Sequence, residues 1–410
     1  MKYLVLRKRP DIVDENPFTE LASASGADDD SGGAAFPFDA ETHRFDTERE
    51  IDDVRRDPSV EDAIPSIPFM LIEPRSDEPA GVAAAAQTAW GVEAVGATAS
   101  PQTGNGVTVA VLDTGIDPAH PAFASLTFGE GDLMDFTNDE LGVPGSAPDN
   151  DGHGTHVAAT IFGREVDGTR VGVAPGVRKV LIGKVLGPRG APTEVIFNGI
   201  QWALRRRADV ICMSLGIDFP GVVRKLVQQE GLPEDIAASR ALEAYRSNVR
   251  LFDRLAQLVD ASAERGRGAL LVAASGNESR RDRDPRFTVA VAPPAAADGF
   301  VSVGAVSQTG DAAAPFAVAR FSNTGCRLSA PGVGILSAQR GGGLVAKNGT
   351  SMAAPHVAGV MALWTEKLFP GGNRPQGWAK DVMLAVESHL APAPGQSRVD
   401  VGRGVVQAPR

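Results

Sequence analysis

The sequence has little that would stitch, anchor or export it. Only two cysteines, Cys212 and Cys326, occur in 410 residues. They show no CxxC spacing, so the pair reads as two buried thiols rather than a metal site or a disulfide. No stretch reaches the ~20 consecutive apolar residues needed to span a bilayer, and no membrane partner is expected. The opening MKYLVLRKRPD puts a short apolar patch ahead of its basic residues. A secretory leader has the reverse order and an apolar stretch of roughly 7–15 residues. Cytoplasmic residence is therefore the expectation, with export lacking a visible leader left open. A positive excess is missing too: the net charge of −11 excludes a nucleic-acid footprint and suits solubility. Aromatic residues make up only 6% of the chain. What remains is a soluble globular composition, long enough for one large domain and a smaller extra piece.

Residues 1–82 differ from the rest. MKYLVLRKR reads as a strand, and residues Glu15–Phe38 carry the Gly/Ser/Asp-rich run ASASGADDDSGGAA, a low-complexity loop. FDTEREIDDVRRDPSVEDA follows as a short charged helix with Pro58 near its end, IPFMLIEP as a last strand, and RSDEPAGVAAAAQT as a joint open to cutting. Over 83–410 strands and helices alternate, which predicts an α/β domain with a mostly parallel sheet and helices on both faces. VTVAVLD, VLIGKVL, DVICMSL, GALLVAAS and FVSVGAVS are apolar runs of the kind buried on both sides. A helical insertion occupies about 217–267. Within it Leu242, Tyr245, Val249, Phe252, Ala256 and Val259 step by three and four, which predicts a long helix with one buried stripe. That stripe packs on its own domain or, alternatively, on a coiled-coil partner.

Four residues stand where chemistry is made. Asp113 ends the strand VTVAVLD, at the carboxyl edge where α/β sheets collect ligands and catalytic groups, although an Asp there also caps turns. His153 lies between Gly152 and Gly154 at the head of the helix THVAATIF. A helix N-terminus disfavours the imidazolium unless an anion compensates, and a neutral imidazole beside a carboxylate is what general-base work needs. His153 and His156 lack the third ligand a metal pair requires. Asn277 in VAASGNE follows a strand and a glycine, where a carboxamide can donate to an oxyanion or merely fill a left-handed turn. Ser351 opens the helix of GTSMAAPHVAG. It is an N-cap, or a nucleophile with free N–H groups beside its hydroxyl. Pro355 is expected to be tolerated through its nearness to the helix start.

Together VAVLDTGID, GHGTHVA, KVLGPRG…IFNGIQWAL, MSLG, VAASGNE, FVSVGAV, SAPGVGILS and NGTSMAAPHVAG resemble, in the same order, the motifs of the subtilisin-like serine proteases. The resemblance runs from about Gln87 to the end. It implies a three-layer subtilisin-like fold with a mostly parallel central sheet. It also implies an Asp113–His153–Ser351 triad, with Ser351 the nucleophile, His153 the base and Asp113 its orienting partner. Asn277 and the Ser351 N–H would form the oxyanion hole. Ser214, Leu215 and Gly216 would pair with an extended peptide or protein substrate from one side and Arg189, Gly190 and Ala191 from the other. Ala273, Ala274 and Ser275 would wall the primary pocket. No acidic residue is evident at its base, which points to apolar side chains.

Two departures shape the expectation. The insertion directly follows the substrate-binding strand, so it narrows access or recruits a partner. The calcium sites usual in this family are not recognisable, and no cofactor is expected. Asp149 and Asp151 are read as a solvated acidic loop in preference to a cation site. The N-terminal region resembles the inhibitory prodomains of the family, a small α+β segment that would act as the chain's own inhibitor and be cut between Glu73 and Gln87; a disordered tail is the alternative. The implied activity is a serine endopeptidase made as a self-inhibited precursor. The alternatives are a narrow cytosolic processing protease for one partner and a protease-like scaffold without turnover.

Overall fold

A computed structural model of the chain describes residues 2–8, 38–75, 87–263 and 266–410. Most of the low-complexity run and most of the joint, including the expected cutting region beyond Arg75, lie outside them.

The N-terminal region builds a three-stranded antiparallel sheet in the order β2-β1-β3, from β1 (Lys2–Lys8), β2 (Phe38–Arg44) and β3 (Val60–Pro65). A single helix, α1 (Glu48–Arg55), lies between β2 and β3. Thr47 caps α1 by accepting from the Glu50 N–H, and the Glu50 carboxylate reaches back to the Asp46 N–H. The sequence reading ran one helix through to Ala63, but α1 stops at Arg55 and β3 begins at Val60. The reason lies in Val60, Ala63 and Ile64, whose apolar side chains are more useful to a sheet than to a charged helix. Side chains of β1 alternate in direction, as a strand requires. Tyr3 and Val5 pack with Ile51 under α1, while Leu4 and Leu6 join Ile64, Ile196 and Phe197 in the core of the larger body.

Nine strands form the main sheet of that body. Its centre is β5 (Thr108–Asp113), with β6 (Lys179–Lys184) parallel on one side. The other side carries the parallel series β8 (Val210–Met213), β10 (Leu270–Ala274) and β11 (Phe300–Gln308). Between β6 and β8 come the short β7 (Ala191–Pro192) and the helix α3 (Thr193–Arg205). Val109 and Val111 of β5 face a cluster shared with α2 (His153–Phe162) and the apolar helix α6 (Thr350–Leu368), whereas Ala110 and Leu112 face α3 and the inserted helices. Continuous apolar runs are thus buried on both faces, giving the three layers that the resemblance implies.

The insertion folds as α4 (Phe219–Glu230) and α5 (Glu234–Ala263), following the two-residue strand β9 (Leu215–Gly216). Its buried face follows the expected stripe over the C-terminal half and is turned from it over the N-terminal half. Phe252, Ala256 and Val259 are buried as expected, together with Ala237, Ala241, Ala244, Asn248, Leu251 and Leu255, while Leu242 is 49% exposed and Tyr245 and Val249 are half-buried. Small alanines let α5 lie close to its neighbours, so the bulkier residues are displaced to the rim. Both cysteines are buried free thiols.

Candidate active site

Four chain ends converge at the carboxyl edge of the sheet. Asp113 closes β5 and is fully buried; its Oδ1 accepts from the Thr114 N–H at 2.7 Å and from His153 Nδ1 at 2.8 Å. His153, also fully buried, is the first residue of α2. The turn after Asp113 and the start of α2 come so close that a Cβ on Gly154 would lie 2.2 Å from the Gly115 carbonyl oxygen, which is why glycine follows His153.

One buried carboxylate ties these two loops together. Asp149 Oδ1 accepts from Thr114 Oγ1, Asp151 N and Gly152 N, and Oδ2 accepts from the Thr155 N–H and hydroxyl, all within 2.6–3.0 Å. Burial alone would raise its pKa, but the hydrogen bonds from Thr155 and Gly152 hold it below the usual carboxylate range. Asp149 is therefore not a solvated residue, and its oxygens are already committed to protein donors. Among the described residues no group of three His, Cys, Asp or Glu side chains could hold a metal ion. His156 is buried, with Nε2 donating to the Ile335 carbonyl at 3.0 Å, and burial pushes its pKa well down.

Ser351 is the second residue of α6. Pro355 lies inside that helix, beyond the first turn, and has no N–H to offer the Ser351 carbonyl four residues back. Ser214 Oγ donates to that carbonyl instead, at 3.1 Å. Asn277 is oriented by its neighbour in space, Thr350, whose N–H and hydroxyl donate to Asn277 Oδ1 at 2.9 and 3.0 Å. A Cβ on Gly349 would sit 3.0 Å from Asn277 Nδ2, crowding the carboxamide that this arrangement aims into the cleft.

A family model described as the subtilase family matches residues 104–397. The chain belongs to the subtilase family of serine endopeptidases. It is 35% identical to the major intracellular serine protease of Bacillus subtilis (strain 168) over 63% of this chain and 68% of that one. The intracellular serine protease of Paenibacillus polymyxa is 36% identical over 67% and 71% of the two chains. Subtilisin E of Bacillus subtilis (strain 168) is 33% identical over 65% and 57%.

In this subtilase the cleft holds the chain's own N-terminal region. Strand β4 (Pro68–Leu71) lies between β7 and β9, antiparallel to both, with Phe69 opposite Ala191, Met70 opposite Gly216 and Leu71 opposite Leu215. Leu215, Gly216 and Ala191 thus pair with an extended peptide. Arg189 stays exposed outside the ladder, and Ser214 acts on α6 rather than on β4. Gly190 approaches closely enough that a Cβ would meet the Phe69 carbonyl at 2.2 Å. Phe69 is fully buried edge-on to Phe252, in the cluster that holds Ala273; Ile72 is buried in the cluster that holds Ala274. Ser275, just beyond them, is buried as well.

Beyond β4 the segment meets two of the sequence-predicted site residues. Ser351 Oγ donates to the Ile72 carbonyl at 3.1 Å, and Asn277 Nδ2 donates to the next carbonyl, that of Glu73, at 2.8 Å. His153 Nε2 and Asp113 Oδ2 are buried with no hydrogen-bond partner among the described residues. Asn348 Nδ2 donates to the Arg75 carbonyl at 2.9 Å, and the Arg75 N–H donates to the Asn348 carbonyl at 2.8 Å.

Sequence reasoning missed Glu278. It lines the cleft, so an acidic residue does stand near the pocket. Burial raises its pKa, while the hydrogen bond from Asn323 Nδ2 at 2.6 Å opposes the rise. Its position immediately after Asn277 was the available signal. Thr350 and Asp149 were missed as orienting groups because their partners are distant in sequence.

Proposed function

We propose that the chain is a serine endopeptidase made as a self-inhibited precursor, with Asp113, His153 and Ser351 as its triad and residues 68–73 as the built-in inhibitor. A substrate peptide takes the place of β4, held by main-chain hydrogen bonds from β7 and β9. His153 Nε2 accepts the proton of Ser351 Oγ as the oxygen attacks the scissile carbonyl, and Asp113 keeps Nδ1 protonated and stabilises the imidazolium. Asn277 Nδ2 and the Ser351 N–H stabilise the oxyanion. The proton then passes to the leaving amine, and water, activated by the same imidazole, releases the acyl group.

The observation that carries the inhibitory part is the splitting of two contacts over two peptide units. Attack needs one carbonyl whose carbon faces Ser351 Oγ while its oxygen sits on the Asn277 donor. Here the nucleophile holds the Ile72 oxygen and the oxyanion donor holds the Glu73 oxygen, so neither bond is aligned for cleavage. Pro74 follows, with φ fixed by its ring, and favours keeping the chain in this path. Cytoplasmic residence is part of the proposal and is supported by the two relatives named as intracellular proteases. A narrow substrate range is supported by the insertion, whose Asp218, Pro220 and Arg224 border the cleft.

A fluorophosphonate probe tests both parts on the full chain. Slow labelling of the wild type, fast labelling of Phe69→Asp and none of Ser351→Ala is the expected result. Equal fast labelling of wild type and Phe69→Asp overturns self-inhibition; no labelling of either, in folded protein, overturns the triad.

A further inference from the structure

We infer that the two inserted helices form the far wall of the primary specificity pocket, and that Phe219, Leu242 and Tyr245 set which substrate side chain it accepts. This rests on reading residues 68–73 as a stand-in for substrate, which makes Ile72 the occupant of that pocket.

Ile72 marks the near end. A Cβ placed on Gly216 would lie 3.5 Å from Ile72 Cδ1 and 3.4 Å from the Pro293 carbonyl oxygen. Ile217 N donates to the same carbonyl at 3.2 Å. The Ile72 side chain therefore reaches the seam where β9 meets the segment at Pro293. Immediately past that seam, bounded by Ile217 and Ala292, is a largely apolar cavity of about 240 Å³ that Glu278 and Asn323 also line. Its outer lining is Phe219 from α4 with Leu242 and Tyr245 from α5. Tyr245 packs edge-on against Phe219 with ring centres 5.7 Å apart, and its hydroxyl donates to the Val291 carbonyl at 3.1 Å. The inserted helices are thereby fixed to the strip that borders the cavity.

The same contacts account for the turned face of α5. Leu242 and Tyr245 fit the apolar stripe of the sequence yet remain outside the core, because they line this cavity instead. A branched side chain such as that of Ile72 stops at the seam. Pro220, Glu278 and Val289 line both the cleft and this cavity, so a longer apolar side chain, phenylalanine above all, passes beside the seam into the cavity, and each added methylene in such a pocket is worth about 10–200-fold in discrimination.

The test uses the full chain carrying Phe69→Asp to vacate the cleft, and peptide p-nitroanilides that differ only in Ile, Leu or Phe before the scissile bond. Phe is expected to exceed Ile in kcat/KM by at least about tenfold. Adding Leu242→Ser should cut the Phe value by about fivefold or more and lower the Ile value far less, with folding of the variant checked separately by circular dichroism. Tyr245→Phe should retain the Phe preference. A flat profile, or equal loss for Phe and Ile, overturns the proposal. Should the wild-type chain cleave as fast as the Phe69→Asp chain, self-inhibition fails, and the same three substrates still measure the pocket on the wild type.

Discussion

Around Glu194 the N-terminal region is held by contacts that use a side chain on at least one partner, whereas between β7 and β9 it is held by its backbone. Glu194, buried at the start of α3, receives the Ser66 hydroxyl at 2.6 Å and pairs with Lys2, which also reaches Glu140. Around it Ile67 N donates to Thr193 Oγ1, Asn248 Nδ2 donates to the Pro65 carbonyl, and Arg254 faces Glu61 and Asp62. Such contacts require particular residues and select this one partner. The β4 ladder asks only for an extended chain with fitting side chains, which is what any substrate offers. On the proposed reading of residues 68–73 as inhibitor, a second, specific attachment on the same chain raises the effective concentration of β4 at the cleft above that of a substrate bound in the same mode.

The predictions separate the two attachments. Asp113→Asn should lower kcat of the uninhibited Phe69→Asp chain by about 10⁴ through the wrong imidazole tautomer, while leaving the docking at Glu194 intact in hydrogen exchange. Asn277→Ala in the same background should cost about 10²–10³ in kcat with little change in KM, the size of loss met when this donor is removed from subtilases.

Acid should act on the body itself. His156 and His356 are buried and held neutral by desolvation, His356 with a pKa lowered to about 4. A folded-state pKa below the unfolded value of about 6.5 means that the unfolded chain gains protons first, so stability falls as pH drops through 6.5 and levels off below the folded pKa. For His356 that loss approaches about 3 kcal/mol by pH 4, to be read from urea midpoints in a pH series. Phe69→Asp, which puts a charge in an apolar site, should raise peptidase activity of the full chain by about tenfold or more by emptying the cleft. Glu194→Gln should have the smallest effect. It keeps an acceptor for Ser66 but loses the pair with half-exposed Lys2, so activity of the full chain should rise only about threefold, in line with a modest ion-pair contribution.

Much of this arrangement was legible from the chain alone. The strands β5, β8, β10 and β11 stood out because burial on both faces forces unbroken apolar runs, and Asp113, His153, Asn277 and Ser351 stood out because glycines and helix starts frame them. Ser214 illustrates what stayed hidden: an edge residue by motif, it serves as donor to the carbonyl that Pro355 leaves free, 137 positions away. The helix through Ala63 and the N-terminal half of the stripe on α5 were misjudged for a related reason. Periodicity reports which residues are apolar but not which neighbour covers them.

The sequence by itself determined the sheet, the helices around it and the candidates for the reactive groups, since these follow from local pattern and from short motifs. Only the tertiary structure decided that β4 lies in the cleft, that Ser351 and Asn277 hold successive carbonyls, and that Leu242 and Tyr245 line a cavity instead of the core. Each of those outcomes depends on distances between segments far apart along the chain, where a shift of one residue changes which carbonyl meets which donor.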